Sequence, residues 1–367
     1  MTVSAQTRRS MPAQSAFGII VAVAISAAPR AGADVIKRDD MLSGITITRA
    51  QCDATPQTVW VTVFGQGLCV RFYISTAGGQ GTRPIVFLTG DHFWPVNPKT
   101  WQWVPSTAKK FRDAFDETAK DVDTGDLVKI ADAFSKMAKT TAIYLGRIGI
   151  DGSSGNHVLR KTLIELDMMS AALDALKQRY GFEGFHLAGQ SGGSRLVAGL
   201  AGMRGDIGCA VSGSGAVAPK GNTNATEPGR SYFDPAIPIM LKNQSLRFIM
   251  ITDRADEIVP ATQQIGFAEK IRRAGGHVPQ FFVSATDDHH HGVLAYTQLA
   301  AAGCILGKSD VEIATAVGTI NKRNTEFVEQ RRKEAAALTR KGIGSRQDAE
   351  HHSAPAAGHA GTLGKPI

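Results

Sequence analysis

A serine between glycines, followed downstream by two candidate carboxylates and a run of three histidines, gives this 367-residue chain the residue types that acyl transfer needs. Ser191 lies in Gly189-Gln190-Ser191-Gly192-Gly193. A serine hydroxyl is a weak nucleophile at neutral pH; it needs a base for its proton and donors for the oxyanion it creates. Small residues two before and two after let a strand turn sharply into a helix with the hydroxyl at the tip. In a chain with 39 glycines the pattern alone carries little weight. Its context carries more: 184–188 reads as an apolar strand and 194–202 as a small-sided helix. An acid and then a histidine are expected further on. Asp253 and Asp256 both follow the strand at 246–251, in Thr252-Asp253-Arg254-Ala255-Asp256-Glu257-Ile258-Val259-Pro260. His289, His290 and His291, followed by Gly292, come after the strand at 280–283. A metal site from Asp287, Asp288 and these histidines is the rival reading. Adjacent side chains diverge, so no metal and no cofactor is expected.

The elements that must position these groups alternate from residue 58 to 308. Val59–Val63 and Leu68–Ile74 read as a hairpin turning at Gly65-Gln66-Gly67. Further apolar runs at 84–88, 141–145, 184–188, 208–211, 246–251 and 280–283 bring the total to eight strands. The later ones lack polar alternation, as expected of a parallel sheet covered on both faces. Leu163, Leu166, Met169, Leu173 and Leu176 recur at helical spacing within 157–179, and 261–274 is a second amphipathic stretch. The predicted fold class is α/β: an eight-stranded, mostly parallel, doubly wound sheet with an N-terminal antiparallel hairpin. Two lid-like insertions exceed a minimal crossover, 91–123 and 216–244. The first holds Phe93, Trp94, Trp101 and Trp103, which read either as an aromatic substrate pocket or as a plug anchoring a long loop.

Residues 1–33 read as an export signal: Arg8 and Arg9, an apolar run from Ala16 to Ala28, then Ala31-Gly32-Ala33. The mature chain would start near Asp34, without a stable membrane span, and the expected location is secreted or periplasmic. Cys52, Cys69, Cys209 and Cys304 then suggest two disulfides. Of the three pairings, Cys52 with Cys69 and Cys209 with Cys304 is preferred, because the first two flank the first β segment. The net charge of +8 is unevenly placed. Arg8, Arg9 and Arg30 account for three, taking +8 to +5, and nine Lys/Arg against five Asp/Glu from Lys322 onward supply +4 of that. The body is near neutral and does not predict a nucleic-acid surface. Residues 34–320 read as one catalytic domain, and 321–367 as a charged helix and a disordered tail.

The motif Gly189-Gln190-Ser191-Gly192-Gly193, with an acid and a histidine downstream and eight strands in this order, resembles the α/β-hydrolase superfamily over about residues 58–308. The loop Arg147-Ile148-Gly149-Ile150-Asp151-Gly152-Ser153-Ser154-Gly155 is similar to the Arg-Gly…Gly stretch of prolyl-oligopeptidase-like members. The resemblance favours Asp256 over Asp253, because members often carry an acid four residues before the proline of a Val-Pro pair. It favours His291 over His290 and then His289, because the family histidine precedes a glycine. It implies that Ser191 attacks, His291 shuttles the proton, Asp256 holds the imidazole and water deacylates the enzyme. The first oxyanion donor would be the amide of Gly192. The second would come from Leu88-Thr89-Gly90-Asp91-His92, by position the amide of Asp91, or His92 next to it. Family esterases often carry His-Gly-Gly there. The departure puts a carboxylate beside the oxyanion site, and Arg147 or Arg195 is a candidate partner for it.

Three functions follow. A carboxylic-ester hydrolase acting on a small or short acyl substrate is favoured. A serine peptidase or amidase of the prolyl-oligopeptidase type is second, since the chain lacks room for the propeller such enzymes usually carry. A non-catalytic exported protein binding through its basic tail is third, and the retained serine, acid and histidine argue against it.

Overall fold

Alternation along single strands decides where the core of this protein lies. The computed structural model describes residues 34–92, 120–215, 217, 224–235 and 246–350, with 339–350 by backbone alone. In chain order its first elements are β1 (Val35–Ile36), α1 (Arg38–Ser43), α2 (Arg49–Ala54), β2 (Thr58–Val63), β3 (Gln66–Ser75), β4 (Ile85–Leu88) and β5 (Val122–Asp123). Then come α3 (Thr124–Ala138), β6 (Ala142–Leu145), α4 (Leu163–Tyr180), β7 (Phe185–Gln190), α5 (Gly192–Met203) and β8 (Ile207–Gly213). The last are β9 (Arg247–Asp253), α6 (Ala261–Arg273), β10 (Gln280–Val283), α7 (Leu294–Ile305) and α8 (Asp310–Glu350).

Eight strands form one sheet in the order β10-β9-β8-β7-β4-β6-β3-β2. β3 runs antiparallel to both β2 and β6, and the other pairings are parallel. This is the α/β-hydrolase arrangement expected from the sequence. On β4, Val86 and Leu88 face one core cluster with Leu166, Met169 and Leu173 of α4 and Leu196 and Leu200 of α5. Ile85 and Phe87 face the other, with Leu127 and Phe134 of α3 and Tyr296 and Ala300 of α7. β6 and β9 divide their side chains the same way, which is why these strands read as unbroken apolar runs.

The sequence misplaces several boundaries. The hairpin turns at Phe64 and Gly65, both at positive φ, while Gln66 and Gly67 pair with Val63 and Thr62. A two-residue turn of this hand matches the twist of the strands it joins. The helix expected from residue 157 begins at Leu163. His157–Leu159 forms a separate 3-10 turn, capped by the Asn156 side chain, and Lys161 at φ 66 breaks the path between the two. The helix α8 starts at Asp310 and runs through residues 320 and 321, so the expected domain boundary falls inside it. Its first turns belong to the body, where Ile313 and Val317 are buried. Among the described residues no helix is long and apolar enough to cross a membrane. β5 is the described end of the first insertion and pairs with β1.

Two disulfides close, Cys52–Cys69 and Cys209–Cys304, with Cα–Cα separations of 5.7 and 6.2 Å. The second ties β8 to α7 across 95 residues of chain, the first spans only 17. Longer loops lose more entropy when closed in the unfolded chain. The Cys209→Ala/Cys304→Ala double variant is therefore expected to lose about 2–5 kcal/mol of stability in urea unfolding, more than Cys52→Ala/Cys69→Ala. Equal losses would contradict the loop-length argument.

Candidate active site

Ser191 stands between β7 and α5 at φ 53, ψ −119, a conformation costly for any residue with a Cβ. The surroundings hold it there. The Ser191 amide donates to Gly213 O at 2.9 Å, and the Ser194 hydroxyl bonds to Gly189 O and Gly213 O at 2.8 and 2.9 Å. The glycines two before and two after the serine are required for space. A Cβ on Gly193 would sit 2.1 Å from Leu88 O, and one on Gly189 would sit 2.7 Å from the Gly193 carbonyl carbon.

Asp256 lies in the loop after β9. The amides of Ile258 and Val259 donate to its Oδ1 at 3.0 and 2.8 Å, and Gln264 Nε2 donates to Oδ2 at 3.3 Å. Those three donors fix the plane of the carboxylate. Asp253 is engaged differently: its oxygens accept from the amides of Ala255 and Ala285 at 2.8 and 2.7 Å.

The three adjacent histidines are separated by geometry, each facing its own carboxylate. His289 Nδ1 is 3.4 Å from Glu257, His290 Nδ1 is 3.5 Å from Asp253, and His291 Nδ1 is 3.0 Å from Asp256. Their loop folds around Asp287, which accepts from the amides of His289, His291 and Gly292. Burial raises the Asp287 carboxyl, and the His291 and Gly292 amides outweigh it, leaving the group below its ordinary value. Gln190, beside the serine, donates from Nε2 to His291 O at 3.0 Å and so ties the histidine loop to the turn that carries Ser191. A proton on Nδ1 donated to Asp256 would leave the lone pair on His291 Nε2. It is buried and makes no hydrogen bond to any described residue, Ser191 included. Contacts of this kind often close only when substrate binds.

Ser191 and His291 line one cavity of about 370 Å³. Phe87, Ile130, Ile258 and Leu294 give it an apolar wall; Thr89, His92, Gln190 and His289 give polar groups. The loop after β4 closes over the serine: a Cβ on Gly90 would lie 3.2 Å from Ser191 Cβ. Gly192 opens α5, and a first-turn amide has no partner inside its own helix. The next residue of the loop, Asp91, is buried with its carboxylate against three cations. Arg147 Nη1, Lys161 Nζ and Arg160 Nε approach it at 2.9, 2.6 and 3.4 Å. Arg147 is thus one partner, as expected; Arg195 is instead directed to Phe233, bonding its carbonyl and stacking over its ring.

Phe93, Trp94, Trp101 and Trp103 lie outside the described residues, as do most of 91–123 and much of 216–244. The acids of the rival metal reading are committed elsewhere: Asp287 to backbone amides and Asp288 to Arg331 at 2.8 Å. Several residues escaped the sequence reading, among them Gln190, Gln264, Ser194, Lys161 and Glu165.

No protein-family model and no curated protein matches the chain. Solved structures do. An alpha-beta serine hydrolase homologue from Coxiella burnetii is 13% identical over 68% of this chain and 96% of its own, with a TM-score of 0.42. A Butyrivibrio proteoclasticus protein with ferulic acid bound is 14% identical over 68% of this chain and 98% of its own, at 0.43. An esterase from Pyrococcus furiosus is 12% identical over 72% and 97%, at 0.46. Likeness this distant says nothing of activity; the fold rests on the strand order and the turn at Ser191.

Proposed function

We propose that this protein is an exported serine hydrolase that cleaves a carboxylic ester through an acyl-enzyme on Ser191. One observation carries the reading: a serine held on a strained strand-to-helix turn shares a cavity with a histidine whose far nitrogen is paired to a buried carboxylate. Ser191 Oγ attacks the ester carbonyl while His291 Nε2 takes its proton. Asp256 keeps the proton of Nδ1 in place and stabilises the imidazolium. The oxyanion is met by the amides of Gly192 and Asp91. His291 returns its proton to the departing alcohol, leaving the acyl group on Ser191. Water then attacks that acyl group with His291 as base, releasing the acid and regenerating the hydroxyl.

The apolar wall of Phe87, Ile130, Ile258 and Leu294 suits a short acyl chain. The two disulfides suit an oxidising compartment and agree with the export signal read at 1–33. N-terminal sequencing of the processed protein is expected to begin near Asp34. Short aryl esters are expected to turn over faster than peptide anilides at equal concentration. Faster anilide cleavage would favour the peptidase or amidase reading instead.

A further inference from the structure

The Asp91 side chain binds together the two sides of the oxyanion site. Its carboxylate fills the space beside Gly192: a Cβ there would fall 1.7 Å from Asp91 Oδ1 and 2.9 Å from Arg147 Nη1. Arg147 Nη1 also donates to Thr89 O at 3.0 Å, so one guanidinium grips the loop by its carbonyl and by its carboxylate. The guanidinium is held in turn by Glu165 of α4, through Nε–Oε1 and Nη2–Oε2 at 2.9 and 3.1 Å. Lys161 closes the circuit: its amide donates to Glu165 Oε2 at 2.5 Å and its ammonium to Asp91 Oδ2 at 2.6 Å. Arg147 and Glu165 are fully buried, and Lys161 keeps 23% side-chain exposure.

Such a network has a catalytic cost unless it is balanced. A carboxylate behind the oxyanion site opposes the negative charge that develops there. Burial also raises the Asp91 carboxyl, but Lys161, Arg147 and Arg160 outweigh it and hold the group ionised, well below its ordinary value. Arg147 is shared with Glu165, which leaves Lys161 as the near cation committed to Asp91 through its side chain.

Resting on the hydrolase reading above, we infer that Asp91 and Lys161 form a positioning pair for the oxyanion site. Asp91 sets the spacing between its own amide and that of Gly192, and Lys161 cancels its charge so that the site still favours an oxyanion. A glycine at 91 would leave the spacing unfixed and would bring no charge for Lys161 to cancel.

A double-mutant cycle on the full chain tests this, with an aryl ester for turnover and an alkylboronic acid as mimic of the tetrahedral intermediate. Lys161→Met is the main variant, because two cations remain on Asp91 and the lysine is partly exposed; Asp91→Asn is the second. Lys161→Met is expected to lower kcat about tenfold or more and to weaken boronic acid binding in parallel, with KM changed less than about threefold. Lys161→Arg should recover most of the loss. In the Asp91→Asn background, Lys161→Met should change kcat by less than about threefold, since no charge is left to cancel. A Lys161→Met enzyme with unchanged kcat, or the same loss in both backgrounds, overturns the inference and leaves the hydrolase reading standing. A folded wild type that neither turns over esters nor reacts with a fluorophosphonate overturns both.

Discussion

His291→Ala is expected to lower kcat on an activated ester by on the order of a millionfold, the loss typical when the base of a serine triad is removed. His290→Ala should leave turnover within about tenfold of wild type. Sequence places the two residues side by side, so the difference rests on geometry. His291 has both oxygens of Asp256 at 3.0 Å from Nδ1 and shares its cavity with Ser191. His290 sits at φ 54 with its ring turned to Asp253. That turn lets two successive side chains leave the loop in different directions. Asp256→Asn should cost about four orders of magnitude in kcat, because an amide can present N–H to Nδ1 and trap the wrong tautomer. A His291→Ala enzyme that keeps activity, or a His290→Ala enzyme that loses it, would reassign the base.

Ser191→Ala is expected to lose a similar factor in kcat, and to lose the pre-steady-state burst of released phenol altogether. Oxyanion donors and the cavity would remain, so hydrolysis of roughly a thousandfold over water can persist without an acyl-enzyme. The fold should tolerate the change. The strained turn is imposed by the close approach of Gly193 to Leu88 and by the bonds of Ser194, none of which uses the Ser191 hydroxyl. Unfolding midpoints of wild type and variant should therefore agree while their kinetics differ. A burst that survives in Ser191→Ala would place the nucleophile elsewhere.

What the sequence made legible was whatever depended on local pattern. Unbroken apolar runs such as Val86-Phe87-Leu88 announced buried parallel strands, because both faces of the sheet are covered. The pairing of Cys52 with Cys69 was readable because one strand separates them. Other long-range relations were not readable. Lys161 looks like one more surface lysine until the fold brings Asp91, seventy residues earlier, against it. Gln190 fills a variable position of its motif, yet it clasps a carbonyl 101 residues away. Helix α3 was missed because it follows directly on an insertion whose own pattern obscured its start. The helix expected at 157 fails there because the left-handed backbone at Lys161 has no helical signature in side-chain type. Position relative to a family pattern selected Asp256 and His291; the distances that put them together come only from the fold.

The most direct test of the account is a fluorophosphonate reaction read by intact mass and peptide mapping. Wild type is expected to gain one phosphonyl group, mapped to Ser191, and Ser191→Ala to gain none. Equal labelling of the two, or a phosphonyl group on another residue, would contradict the account at its centre.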